Sequence, residues 1–171
     1  MSMLPGFEAQ PLDRNAARAL RLEIEEFHAD YCAALDEGRI ADWPTFFADD
    51  AIYRITAREN AEAALRVGLV YCEGMGMLRD RALAIARTEM FAPRYLQHHV
   101  NNVRVLSAAD GVVAAQANYL VLQTLVDEPT TLHQAGRYYD RFVRERGRLL
   151  LRERHCVYDT LLIDNSLVMP V

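Results

Sequence analysis

The stretch QHHVNNVRVLSAADGVVAAQANYLVLQT, residues 97–124, decides the fold. From Val112 onward, apolar or small residues occupy every second position, Val113, Ala115, Ala117, Tyr119 and Val121, the period of a strand with one buried face. Residues 97–106 form a second β-rich run, and the SAADG segment between the two has turn chemistry, so the pair reads as an antiparallel hairpin. Two further runs follow, 132–144 after VDEPTT and 149–158 after an ERG turn. Four antiparallel strands in succession therefore occupy the C-terminal half.

Upstream the period changes. Between residues 15 and 35, Leu20, Ile24, Phe27, Tyr31 and Leu35 recur every three or four positions, the stripe of a helix on a core, and Gly38 ends it. The segment DWPTFFADDAIYRI places Trp43, Phe46 and Phe47 in a short helical or turn element and starts a first strand at 51–55. A second helical tract is expected from Asn60 through Leu65, Leu69 and Tyr71, broken or kinked by the glycines of EGMGML, and 78–90 fits either a helix or a strand. Residues 1–14, with Pro5, Gly6 and Pro11, show no period and read as an arm that is ordered only if it packs on something, a surface that a partner could supply. Helices first and a meander after predict an α+β fold in which a strongly curved antiparallel sheet buries one face against N-terminal helices. Residues 15–171 are then one domain.

Composition narrows the function classes. The chain has 171 residues of which 51% are hydrophobic types, enough for a sizeable core. Its 19 Lys and Arg against 24 Asp and Glu leave a net charge of -5, which argues against a nucleic-acid partner. The most basic part, RERGRLLLRER, is interrupted by glutamates and leucines and reads as a hairpin with a charged tip. Cys32, Cys72 and Cys156 are odd in number and far apart, which suits a reducing, cytoplasmic setting better than a disulfide framework. No apolar run approaches the roughly 20 residues that span a bilayer, so no membrane segment is expected.

The candidate chemistry is sparse. In an extended strand His98 and His99 point to opposite faces, His98 with Val100, Asn102 and Arg104, and His99 with Asn101, Val103 and Val105. This makes His99 the better candidate for burial and denies the pair a shared metal; no third or fourth ligand is placed to complete a zinc or iron shell. His155 and Asp159, four apart, could form a structural pair on one strand face, while His28 and His133 have no sequence-local partner. The cysteines read as buried, unreactive thiols. Tyr53 and Asp50 could line a cavity and supply a hydroxyl and a carboxylate, although Asp49 and Asp50 also suit a solvated turn. Gly74 and Gly76 read as hinge or turn residues, not a phosphate cradle. Tyr138 and Tyr139 suggest one core and one interface position, rimmed by Arg137, Asp140 and Arg141. No catalytic, cofactor-binding or metal-binding residue is assigned.

Taken together, DWPTFFADDAIYRITARENAE, MLRDRA, HHVNNVRVL, ANYLVLQT, AGRYYDRF and LLLRERHCVYDT resemble the small, or beta, subunit of bacterial aromatic-ring-hydroxylating oxygenases. The resemblance runs over about residues 20–171, nearest to the small subunits of salicylate 5-hydroxylase and terephthalate dioxygenase. It implies a cone-shaped α+β barrel similar to scytalone dehydratase and nuclear transport factor two. It also implies a noncatalytic structural subunit in a mixed hexamer of three large and three small chains. The large subunit would hold a Rieske [2Fe-2S] cluster and a mononuclear Fe(II), fed from NADH through a reductase and a ferredoxin, and would carry out mono- or dioxygenation of an aromatic, possibly carboxylated, ring. Gln97 stands where the family often has an arginine before the histidine matched by His98, so no interface salt bridge is expected there; Arg104 stays a structural donor, and Arg79, Asp80 and Arg81 match a polar segment between helices and sheet. Two other readings remain open: a small lyase or isomerase with His98 or His99 near Tyr53 or Asp50 in the cone, and an interaction domain outside any oxygenase.

Overall fold

A computed structural model of the chain describes residues 4–65, 67–87, 91–163 and 169–171. The long helix α1 spans Arg14–Asp36, and its first turn is capped by Asp13, whose side chain accepts from the amides of Asn15 and Ala16. Its buried stripe, Ile24, Phe27, Tyr31 and Leu35, is the one that the period predicts, joined by His28 and Cys32. A short 3-10 helix at Trp43–Phe46 leads into β1, Phe47–Ala57, which starts four residues before the expected strand and includes Asp49 and Asp50.

The expected second helical tract is the main correction. It consists of a short helix α2, Arg58–Glu62, and a strand β2, Val70–Glu73. Leu65 and Leu69, which suggested a helical stripe, are exposed, whereas Val70 and Cys72 alternate inward beside β1 with the period of a strand. The glycines of EGMGML break no helix: Gly74 opens α3, Gly74–Arg87, and Gly76 lies within it. This settles most of the 78–90 region as helix, with residues 88–90 outside the described part.

The four expected strands are β3 Arg94–Ala109, β4 Val112–Leu125, β5 Thr131–Glu145 and β6 Arg148–Tyr158. At the β3–β4 and β5–β6 turns, Asp110–Gly111 and Arg146–Gly147 all have positive φ, the two-residue geometry whose twist matches paired strands. The sheet order is β2-β1-β6-β5-β4-β3. The meander is antiparallel as expected, but β1 runs parallel to β6, so the sheet as a whole is mixed. Register shifts interrupt four of the five strand pairings, and bulges of this kind bend and twist a sheet locally. Helices α1 and α3 fill the inner face with a core rich in aromatic side chains.

The other face is covered in part by the arm. Leu4 and Phe7 are buried against Leu106, Ala114, Tyr139 and Val157, and the Gln10 amide donates to the Leu106 carbonyl at 2.8 Å. The surface that orders the arm belongs to the chain itself. Among the described residues no helix is long and apolar enough to cross a membrane.

Candidate functional site

The inside of the curved sheet is the natural place for chemistry, and its centre is an arginine. Arg154 lies on β6 at the same inward parity as Cys156 and is fully buried. Its Nε and Nη2 donate to the two carboxylate oxygens of Asp140 at 2.9 and 2.8 Å. The rings of Tyr31 and Tyr138 sandwich the guanidinium, with centroids 4.3 and 4.2 Å from Cζ. Register explains the pairing, because Asp140 of β5 stands directly across from Arg154 of β6.

Arg154 also dictates the state of His28, whose Nδ1 lies 3.1 Å from Nη2. A guanidinium can only donate, so Nδ1 accepts and the ring is neutral with its proton on Nε2, 3.8 Å from Asp140. Burial and then the Arg154 charge hold the imidazole well below its ordinary pKa. Burial alone pushes Asp140 upward, against the pull of Arg154.

The hydroxyls of Tyr31 and Tyr53 are engaged as well, whereas that of Tyr138 has no hydrogen-bond partner among the described residues. Tyr31 and Tyr53 both donate to the Val171 carbonyl at 3.2 Å, and Tyr53 accepts from the Val171 amide at 3.0 Å. Trp43 Nε1 donates to Tyr31 at 2.9 Å. Burial drives both phenols above their usual pKa, and it does the same to the Cys156 thiol and to Cys32, which is pushed to about 12. These groups serve one another and a backbone segment, and the arrangement that results is a packed polar core.

The residues singled out from sequence are dispersed. The expectation that His99 is buried is overturned: His98 is buried and His99 is exposed. Asn102 sits at φ +54 in a register break between Asn101 and Arg104, so the alternation counted back from Val103 and Val105 reverses before it reaches the histidines. The His98 amide donates to Asp36 at the end of α1, and its Nδ1 lies 2.6 Å from the same carboxylate. Tyr53 is bound to Val171, while Asp50 is exposed and paired with Arg152, so the acid-base set of a lyase is not brought together.

His155 and Asp159 do not pair either. β6 ends at Tyr158, and Asp159 turns to Arg58, while His155 Nε2 lies 3.2 Å from Glu153, close but poorly aligned for a hydrogen bond. Tyr138 and Tyr139 are both buried within the chain, the first on Arg154 and the second edge-on to Phe7 at 5.4 Å, so the interface reading of this pair is replaced by two internal contacts. Asp140, expected on a polar rim, is the buried partner of Arg154. Arg154 escaped the sequence reading and Asp140 was assigned to the wrong face by it, although both occupy inward positions among Tyr138, Phe142 and Cys156, where a charged pair signals mutual compensation. Among the described residues no three His, Cys, Asp or Glu side chains are grouped to hold a metal ion, so the residues present do not fit an iron or Rieske site.

An α+β domain with this curved mixed sheet, helices on its inner face and a polar core at its centre defines a class, and residues 16–155 match the model of the SnoaL-like domain, the fold shared with scytalone dehydratase-like proteins. The chain is 32% identical over 149 residues to the anthranilate 1,2-dioxygenase small subunit of Burkholderia cepacia, covering 87% of this chain and 92% of that one. It is 29% identical to a terephthalate 1,2-dioxygenase terminal oxygenase beta subunit of Comamonas sp, covering 88% and 97% of the two chains. A solved beta subunit assigned to an aromatic-ring-hydroxylating dioxygenase of Novosphingobium aromaticivorans superimposes with a TM-score of 0.84 at 35% identity, covering 91% of this chain and 99% of that one. The chain belongs to the small, or beta, subunit family of aromatic-ring-hydroxylating dioxygenases.

Proposed function

We propose that this chain is the supporting small subunit of a Rieske non-haem iron ring-hydroxylating oxygenase, in which a large subunit binds the metals and oxidises the ring. The similarity to the anthranilate 1,2-dioxygenase small subunit along nearly the whole of both chains carries this reading. The packed polar core supports it, because Tyr31, Tyr53, His28 and Asp140 are committed to internal bonds. The expected assembly is three large and three small chains supplied with electrons from NADH through a reductase and a ferredoxin. Two of these relatives are subunits of dioxygenases named for carboxylated rings, anthranilate and terephthalate, which supports an aromatic acid as substrate of the complex. Three buried free thiols fit a reducing, cytoplasmic setting.

Co-purification with the large subunit tests the proposal. Iron and NADH-dependent ring oxidation should appear with the large subunit and be absent from this chain alone, and native mass measurement should give a mixed hexamer. Iron retained by this chain alone, or turnover by it, would overturn the supporting role.

A further inference from the structure

A second polar cluster lies outside the core, on the opposite face of the sheet, in a pocket of about 220 Å³ under the arm. β1, β6 and β5 build it by register: Arg54 stands across from His155, and Glu153 across from Arg141. Among the described residues four polar atoms here are buried without an aligned hydrogen-bond partner, Arg54 Nε, Thr56 Oγ1, Arg141 Nε and His155 Nε2, the last two each 3.2 Å from an oxygen of Glu153. Thr56 is only 4% exposed. Concentrating unsatisfied polar atoms in one cavity costs stability unless something occupies it.

The chemistry of these atoms selects the occupant. Two are guanidinium donors, the hydroxyl can donate, and the imidazole can donate in one tautomer, so the complement is an acceptor. Charge agrees: among the described residues two arginines face one carboxylate, Glu153, whose two oxygens lie 3.2 Å from Arg141 Nε and 3.2 Å from His155 Nε2, leaving one positive charge within the pocket. Glu8 is near Arg141 but lies in solvent on the arm, where its own carboxylate accepts from the Gly6 amide. A metal cation is disfavoured by the arginines. The remaining walls, among them Phe7, Leu65 and Val157, are apolar, and the volume suits a single small molecule.

We propose that this pocket binds a small organic monocarboxylate, with its carboxylate on Arg54, Thr56 and His155 and its apolar body against Phe7, Leu65 and Val157. The planar two-oxygen anion matches a guanidinium fork better than a spherical ion does. The site is distinct from the core network and does not depend on the supporting role. Because Leu4 and Phe7 form its roof and Arg141 Nη2 donates to the Gly6 carbonyl at 2.9 Å, the acid also helps hold the arm in place.

The test is an NMR titration of the full chain with benzoate, with neutral benzamide and with inorganic phosphate, reading the His155 ring, whose resonances the His155→Gln variant assigns. Benzoate should shift the ring saturably and raise its titration midpoint, since the anion offsets the arginines. Benzamide should bind about tenfold more weakly or worse, and Arg54→Gln should weaken benzoate by about tenfold with the circular dichroism spectrum unchanged. No saturable shift would leave only water in the pocket and overturn the proposal, as would equal binding of benzamide. Phosphate binding as tightly as benzoate would overturn the organic acid. Loss of benzoate binding on adding the large subunit would assign the pocket to a carboxylate side chain of that partner and overturn the free acid. The wild-type titrations decide these outcomes even if a variant fails to fold.

Discussion

Arg154 is the residue on which the inner face turns. A buried guanidinium survives because Asp140 neutralises it in a two-oxygen embrace and two tyrosine faces replace part of its hydration. Asp140→Asn should therefore destabilise the chain by about 3–5 kcal/mol in urea unfolding, because it strands the remaining charge. Tyr53→Phe removes hydrogen bonds to Val171, including the acceptor of its buried amide, and should cost about 1–3 kcal/mol while leaving turnover of the assembled oxygenase unchanged. Reduced turnover without a change in assembly would reopen a catalytic role for the core. His155 supplies a pH prediction. Burial, then Arg54 and Arg141, push its pKa from 6.5 to about 4, so between these values the unfolded chain binds the proton that the folded chain refuses. Stability contributed by this residue is present above pH 6.5 and is lost as pH falls toward 4. Asp140, raised by burial, contributes with the opposite sign, so the difference between wild type and His155→Gln across pH 4–7 isolates the histidine.

Among the elements, the arm and β5 make the sharpest cases. Phe7 is 2% exposed although it lies in a segment without helix or strand, and it is held by Tyr139 at its edge and the Arg141 guanidinium 4.6 Å from its centroid. Phe7→Ala should cost about 3 kcal/mol, confined to release of the arm, and should appear as faster hydrogen exchange at the Gln10 amide with the sheet amides still protected. Gly136 is a site of close approach in β5. A Cβ there would strike the Val157 carbonyl on β6 and come within 2.9 Å of the Tyr119 hydroxyl, so Gly136→Ala should destabilise by about 3 kcal/mol or more in the same urea assay. The β3 register break carries a lesson for reading strands. Asn102 tolerates positive φ because its short polar side chain fits the left-handed region, and one such residue was enough to exchange the faces of His98 and His99.

For the whole molecule, the sheet gives two faces with separate tasks: an inner one closed by α1, α3 and the polar core, and an outer one carrying the arm and its pocket. Family membership was legible in the chain because the order and spacing of six short motifs survive where no single motif is decisive. The long helix and the meander were legible because periodicity is a local property, written in consecutive side chains. The candidate sites were far less so: β2 hid in a helical spacing of exposed leucines, and Arg154 and Asp140 passed as ordinary strand charges. By itself, then, the sequence determined helix first and strands after, the single inward stripe of α1 and the kinship of the chain. Only the tertiary structure decided that β1 pairs in parallel with β6, that Asp140 meets Arg154, that His98 is buried and not His99, and that the arm closes on its own sheet. Each of these depends on contacts between distant residues or on a single bulge that resets strand phase, and neither leaves a periodic trace along the chain.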